Sequence, residues 1–333
     1  MKTICIFGFA AMVLFGSPAN AAIDGQLGPG DSYGSAIAVQ DAPTAWGDNV
    51  NELNAAFAAA SGGDMALLLT GNLEGNGNGL VLLLDVRSGG AVATTLAGGF
   101  GQLGSIGGTR IDDWGTDVQG GPGVSPTPGG SSILDPSFNP DVAIEINASG
   151  GVEYYVNIID LTLPNEGDAD VDRFLGQNFI GAGPAAHVYG RADGDPDKGS
   201  GGLISHAFNN SNLAGISDVS AAGALTATTG VEMLLSAEFL AVDPGHGVKA
   251  MVFLTNGGGE YLSNQFLGQS GVGVATALGL PGDVGGAPLF DAREFAGNQF
   301  FVIAVPEPAA CGPLAIGLLS MFQTRRTGRG RRS

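Results

Sequence analysis

The sequence predicts an all-β protein, an antiparallel β-sandwich with long glycine-rich loops. Segments in which apolar and polar residues alternate recur along the middle of the chain, as in strands with one buried face. Glycine makes up 58 of the 333 residues and clusters between these segments, without the three-residue period of collagen. Apolar residues make up 44% of the chain, too many for a disordered protein, and helical periodicity is weak. Short strands joined by glycine-rich turns favour two packed antiparallel sheets.

The clearest predicted hairpin joins Val142–Asn147 to Val152–Ile158. Both segments alternate, and Ser149-Gly150-Gly151 between them is a turn sequence. A second hairpin is predicted from Ala55–Ala60 to Met65–Thr70. The other predicted elements are a strand at Leu80–Asp85 after a turn at Gly75–Gly79, strands at Val231–Leu240 and Val248–Thr255 flanking Pro244-Gly245, a short helical turn at Ser236–Ala241, a last strand at Gln299–Val305, and long loops at Gly115–Ser132 and Gly190–Gly202.

Residues 22–304 are predicted to form one domain. Neither long loop divides this stretch into two self-sufficient halves. The two cysteines, Cys5 and Cys311, lie outside it, so disulfides are not expected to hold the fold. A chain of this length buries a sufficient apolar core without them.

The net charge limits the class of partner. The formal charge is -19, and the few basic residues include Lys2 and five arginines after residue 324. The middle of the chain is therefore strongly acidic. Phosphate contacts need clustered Lys and Arg, so nucleic acid is excluded as a partner. An acidic surface favours cations or neutral ligands.

Residues 1–21 have the three parts of a secretory signal peptide. Lys2 supplies the positive charge, and Ile4–Phe15 is an apolar run too short to span a bilayer. Ala19-Asn20-Ala21 presents the small residues that signal peptidase requires. We expect export through the Sec machinery and cleavage after Ala21.

Residues 305–333 carry a second targeting pattern. Pro306-Glu307-Pro308 precedes an apolar stretch, Ala309–Phe322, and an arginine cluster that includes Arg325 and Arg326. This arrangement resembles the PEP-CTERM sorting signal of Gram-negative bacteria. The resemblance implies a transmembrane helix and processing by exosortase, a membrane protease. The apolar stretch is shorter than a hydrocarbon core of about 30 Å, so we expect it to anchor the protein weakly or transiently. The resemblance also implies that the protein lies in the cell envelope, at the cell surface or outside the cell.

The middle of the chain also contains short sequence segments that resemble those of other exported proteins of this kind. They include Ile23-Asp24-Gly25, Gly47-Asp48-Asn49, the run Leu67–Glu74 and the run Tyr261–Gln265. Their opening is similar to the DOMON-like and family-9-like carbohydrate-binding domains. The resemblance implies a jelly-roll β-sandwich and a ligand that is a sugar or, in some branches, haem.

Catalytic motifs are sparse, and the sequence predicts a protein that is not an enzyme. Gly30–Gly34 matches G-x-S-x-G, but a nucleophile elbow needs a buried strand before it and a helix after it. His187, His206 and His246 lack the spacing of a metalloprotease motif. A secreted hydrolase stays open as the least favoured alternative.

Two acidic loops are candidate calcium sites. Asp168, Asp170 and Asp172 alternate along one loop, and Asp193, Asp195 and Asp197 alternate along another. This spacing lets an extended loop turn three carboxylates toward one Ca²⁺ ion, although neither loop follows the EF-hand pattern. A solvated acidic turn is the alternative for each loop.

Neutral polysaccharide is the ligand class that the charge allows. Sugar binding needs flat aromatic faces beside polar groups, so Trp46 and Trp114, the two tryptophans, are the candidate residues. Tyr33, Tyr189 and Tyr261 are candidate helpers. The alternatives are that these rings fill the core, and that the protein is purely structural or adhesive without a small ligand.

Overall fold

The described part of the chain is an all-β protein with antiparallel pairing. The computed structural model describes residues 21–88, 90, 93–96, 109–112, 131–133, 135, 137–160, 172–189, 202–256, 262–268, 298 and 300–304. The strands are β1 (Ala38–Val39), β2 (Glu52–Ser61), β3 (Asp64–Asn72), β4 (Asn76–Asp85), β5 (Ala93–Leu96), β6 (Thr109–Asp112), β7 (Ser131–Ile133), β8 (Val142–Ser149), β9 (Glu153–Asp160), β10 (Asp172–Phe179), β11 (Ala185–Tyr189), β12 (Gly202–Phe208), β13 (Gly230–Leu235), β14 (Val248–Thr255), β15 (Leu262–Leu267) and β16 (Phe301–Ile303).

The strands form three sheets. A six-stranded sheet has the order β1-β2-β3-β13-β12-β11, and a small sheet has the order β6-β5-β7. A seven-stranded sheet has the order β10-β9-β8-β4-β14-β15, with β16 also paired to β14. Within the described residues, helical structure is limited to a 3₁₀ turn at Ala224–Thr226 and one turn, α1 (Ala237–Leu240). No helix among these residues has the length and apolar character needed to cross a membrane.

Both predicted hairpins are confirmed. Strands β8 and β9 pair from Val142↔Asp160 to Ser149↔Glu153, and Gly150 and Gly151 between them have φ of 60° and 68°. Strands β2 and β3 pair along their length around Gly62-Gly63. Glycine adopts such positive φ values without a steric cost, so the turn residues alone fix both reversals.

Two predictions about the strands are wrong. The run Gly75–Gly79 is not simply a turn, because β4 already begins at Asn76, and Gly79 pairs with Asn147 and Thr255. The strand predicted at Val231–Leu240 ends at Leu235, and it lies between β3 and β12, whereas β14 lies in the seven-stranded sheet.

A capped helical turn lies where the chain leaves β13. The strand ends at Leu235, and Ser236 caps α1 by accepting a hydrogen bond from the Phe239 amide at 3.2 Å. Ala241 ends the turn in the left-handed conformation, with φ of 43°. The short helical turn predicted here is confirmed, and it redirects the chain toward β14.

One cluster of buried apolar side chains takes members from both large sheets. Met65, Leu67 and Met233 of the six-stranded sheet belong to it, as do Leu82 and Ile144 of the seven-stranded sheet. Alternate residues of these strands point the other way. On the seven-stranded sheet this outer face is also largely buried, as shown by Val81, Leu83, Met251 and Phe253.

Candidate functional site

One of the two predicted sugar-binding tryptophans, Trp46, lies in the described part of the chain. Trp46 is half-buried and packs against the main core, and Trp114 lies outside the described residues. The proposed role of Tyr33 as a helper is wrong, because its ring is buried and its hydroxyl donates to Glu232 at 2.5 Å. Tyr189 ends β11, and Tyr261 lies outside the described residues.

The predicted calcium and sorting residues fall mostly outside the described residues. Asp172 is the first residue of β10. The described residues contain no group of three or more His, Cys, Asp or Glu side chains placed to hold a metal ion. The remaining predicted calcium and sorting residues lie outside the described residues: Asp168, Asp170, Asp193, Asp195, Asp197, Pro306, Glu307, Pro308, Arg325 and Arg326.

The G-x-S-x-G match lies in an irregular segment. Ser32 is exposed, and among the described residues the next element after it is the strand β1 rather than a helix, and no named strand precedes it. His246 is paired elsewhere, with its Nε2 2.5 Å from Oδ1 of the buried Asp85. The local geometry of a nucleophile elbow is therefore missing from this part of the chain.

A set of polar residues meets on the outer face of the seven-stranded sheet. Glu145 of β8 lies opposite Asn157 of β9. Two residues along β8, Asn147 lies opposite Gly79 of β4, which in turn lies opposite Thr255 of β14. Strand alternation puts all five on the same face. We call Gly79, Glu145, Asn147, Asn157 and Thr255 the polar cradle.

The polar groups converge above Gly79 because this residue has no side chain. A Cβ atom at Gly79 would lie 2.8 Å from Asn147 Nδ2, 2.9 Å from Glu145 Oε1 and 3.1 Å from Thr255 Oγ1. Asn147 Nδ2 donates to Glu145 Oε1 and to the Gly77 carbonyl, each at 3.2 Å. Two hydrogen bonds thus hold the Asn147 amide in place through its nitrogen, whereas its Oδ1 atom accepts none among the described residues.

Several cradle atoms are buried without a hydrogen-bond partner among the described residues. They are both amide atoms of Asn157, Oδ1 of Asn147 and Oγ1 of Thr255. Asn157 is only 4% exposed. An unpaired buried polar group costs about 1–3 kcal/mol, so such a group calls for an explanation. Together these atoms offer donors and acceptors in the mixture that hydroxyl groups of a ligand satisfy.

Three aromatic rings lie beside the cradle, on the outer face of β9 and β10. Phe174 pairs with Asn157, Tyr155 is two residues before Asn157, and Phe179 pairs with Glu153. Phe174 is 49% exposed and Phe179 is 58% exposed. The Tyr155 and Phe174 ring centroids are 6.2 Å apart. We call Tyr155, Phe174 and Phe179 the aromatic edge.

A β-bulge makes the aromatic edge possible. Phe174 and Phe179 are five residues apart, so a regular strand would put their side chains on opposite faces. The register shifts between Phe174 and Gly176, which places one extra residue in β10. After the bulge both phenylalanines share the face of the polar cradle. A prediction that assumes regular alternation misses this pairing.

The charges of the polar cradle and the aromatic edge are few and negative. The cradle and the aromatic edge contain one carboxylate, Glu145, and neighbouring Glu153 accepts a hydrogen bond from the Tyr155 hydroxyl at 2.6 Å. That hydrogen bond raises the pKa of Tyr155, so the phenol stays neutral at physiological pH. None of the residues named here is basic, which suits an uncharged ligand better than an anion.

The sequence signal for this face lies in a predicted hairpin rather than in the tryptophans. Glu145, Asn147, Tyr155 and Asn157 occupy the outward positions of the best-predicted hairpin. Polar residues alternating with Ile and Val there indicate a sheet face with hydrogen-bonding capacity. No family model, no curated protein and no solved structure matches this chain.

Proposed function

We propose that this chain is an exported, non-catalytic protein of the cell surface or extracellular matrix that binds neutral glycan. It is sorted by its PEP-CTERM tail, and its two large sheets pack as a jelly-roll-like β-sandwich. The observation that carries the binding proposal is the polar cradle, with the unpartnered amide of buried Asn157, beside the exposed aromatic edge.

The two parts of this face suit the two sides of a sugar. Aromatic rings pack against the apolar C–H faces of sugar rings, and side-chain amides exchange hydrogen bonds with hydroxyl groups. Phe174 and Asn157 are directly paired across β10 and β9, so the ring and the amide are neighbours on one face of the sheet. The absence of basic side chains from the cradle and the aromatic edge excludes strong attraction for acidic polymers.

The Asn157→Leu substitution is expected to abolish glycan binding and to stabilise the fold. Leucine fills a similar volume but removes two polar atoms that are buried without partners, which should raise the unfolding free energy by about 1–3 kcal/mol. Loss of function with gained stability is the behaviour of a binding residue rather than of a structural one. Binding is measured on an array of neutral oligosaccharides and stability by urea unfolding.

Matched variants separate the aromatic edge from general hydrophobic exposure. Phe174→Ala should weaken binding by about fivefold, since an aromatic contact contributes about 1 kcal/mol. Leu213→Ala removes a side chain that is 86% exposed in the segment between β12 and β13, and this variant should bind like the unmodified protein. Trp46→Ala tests the tryptophan hypothesis in the same assay. Equal binding by Phe174→Ala, Asn157→Leu and the unmodified protein would favour a purely structural or adhesive role.

Processing at both ends is the second expected result. The secreted protein should begin at Ala22 and should lack the arginines that follow Pro306-Glu307-Pro308, because the tail is removed or held in the membrane during export. Intact-mass measurement of the protein from the medium and from the membrane fraction checks this. Soluble protein that still carries Arg331 and Arg332 would contradict it.

A further inference from the structure

Two histidines lie together where the edges of the two large sheets meet. His206 is on β12 and His187 is on the neighbouring strand β11, one diagonal step away. The adjacent edge of the seven-stranded sheet is β10, which contacts β11. His206 is fully buried, whereas His187 is partly exposed.

The two imidazole rings are stacked in a tight space. Their centroids are 5.1 Å apart and their planes differ by 13°. The His187 ring also lies against the backbone of Gly176, where a Cβ atom would be 2.1 Å from Cε1 of His187. Gly176 directly follows the β-bulge in β10, and its lack of a side chain leaves room for the His187 ring.

The outer nitrogens of both rings lack partners. Nε2 of His187 and Nε2 of His206 are buried and have no hydrogen bond among the described residues. The inner nitrogen of His206, Nδ1, lies 2.9 Å from the Tyr154 hydroxyl, which is also 3.4 Å from the His206 carbonyl oxygen. When Tyr154 donates to that carbonyl, Nδ1–H donates to the Tyr154 oxygen, and Nε2 keeps its lone pair.

Metal-binding histidines commonly have this support. A ligating imidazole usually donates its second N–H to a neighbouring oxygen, which fixes the ring and its tautomer. Neutral imidazole suits zinc, copper, nickel and iron, whereas Ca²⁺ and Mg²⁺ prefer oxygen ligands.

We propose that His187 and His206 bind one first-row transition-metal ion through their Nε2 atoms. Two metal–nitrogen bonds of about 2.1 Å hold the two nitrogens of such a site no more than about 4.2 Å apart. Tyr154 positions His206 but does not touch the ion. Two protein ligands leave the remaining coordination positions to water. This site is separate from the polar cradle and does not depend on glycan binding.

The test is calorimetric titration of the purified protein with Zn²⁺ in excess Ca²⁺, which occupies sites made of carboxylates alone. The unmodified protein should bind one equivalent of Zn²⁺. His187→Gln, at a partly exposed position, should lower the affinity at least tenfold, and Tyr154→Phe by about tenfold through loss of the support to His206. Co²⁺ should give the visible absorption of a nitrogen-ligated ion only when both histidines are present.

The matched control is His246→Gln, since His246 is paired with Asp85 away from the two rings. This variant should bind Zn²⁺ like the unmodified protein. Far-ultraviolet circular dichroism confirms that each variant is folded before titration. Zn²⁺ affinity that is equal in His187→Gln and the unmodified protein, or an unmodified protein that binds no stoichiometric Zn²⁺, would overturn the proposal.

Discussion

Replacing Gly230 with alanine is expected to prevent stable folding. Gly230 opens β13, and a Cβ atom there would lie 2.0 Å from the Leu69 carbonyl oxygen and 2.7 Å from Thr70 Cα, both backbone atoms of β3. Gly230 also donates to the Gly25 carbonyl at 3.0 Å and accepts from the Asn209 amide at 2.9 Å. Backbone hydrogen bonds therefore hold it on several sides, and no neighbour can move away cheaply.

The expected loss of unfolding free energy is about 4 kcal/mol or more, in the range of severe steric and backbone effects. Gly30→Ala is the matched control, because nothing lies within 4 Å of a Cβ atom at that position. It should change stability by less than about 1 kcal/mol. The two variants are compared by urea unfolding followed by circular dichroism. An unfolding midpoint of Gly230→Ala equal to that of Gly30→Ala would contradict the steric argument.

Local patterns explain which elements the sequence predicts. The β8–β9 hairpin follows from alternation on both sides of Gly150-Gly151, and α1 follows from Ser236 as its cap. The partners of β13 and β14 do not follow, because they are chosen by packing between residues far apart in sequence. Gly79 shows the same limit, since its place in β4 depends on Asn147 and Thr255.

The candidate site was less predictable than the fold. Tryptophan is scarce in the sequence, which favours Trp46 as a sugar-binding residue, yet the Trp46 ring packs against the core. Phe174 and Phe179 share a face only because of the bulge between Phe174 and Gly176, and a bulge leaves no clear mark in residue types. The sequence predicts Asn157 at an outward position of a strand, but only the packed structure shows that its amide has no hydrogen-bond partner among the described residues.

Replacing Glu232 with leucine is expected to release the N-terminal segment, residues 21–37, from the six-stranded sheet. Glu232 is fully buried and accepts hydrogen bonds from the Asp24 and Gly25 amides, each at 2.8 Å, and from the Tyr33 hydroxyl. The segment also covers an apolar patch that includes Phe57 and Leu68. One side chain thus fastens residues that directly follow the expected cleavage site.

The Glu232→Leu substitution leaves three donors without their acceptor, and each costs about 1–3 kcal/mol when buried. We expect a loss of about 3 kcal/mol or more in unfolding free energy and faster proteolysis within residues 21–37. Glu238→Leu, at an exposed position in α1, should change stability by less than about 0.5 kcal/mol. Proteolysis at equal rates in the two variants would show that Glu232 does not hold the segment.

The stability difference between the unmodified protein and Glu232→Leu is also expected to depend on pH. Burial raises the pKa of Glu232 above its ordinary value of 4.5, so the folded state keeps this proton to a higher pH than the unfolded state does. The contribution of Glu232 is therefore complete below about pH 4.5 and declines as the pH rises through the raised value. Repulsion among the other acidic groups is nearly the same in both proteins and largely cancels in the difference. Urea unfolding at pH 5 and pH 8 should show a larger destabilisation by the substitution at pH 5, and a difference that grows toward pH 8 would contradict the raised pKa.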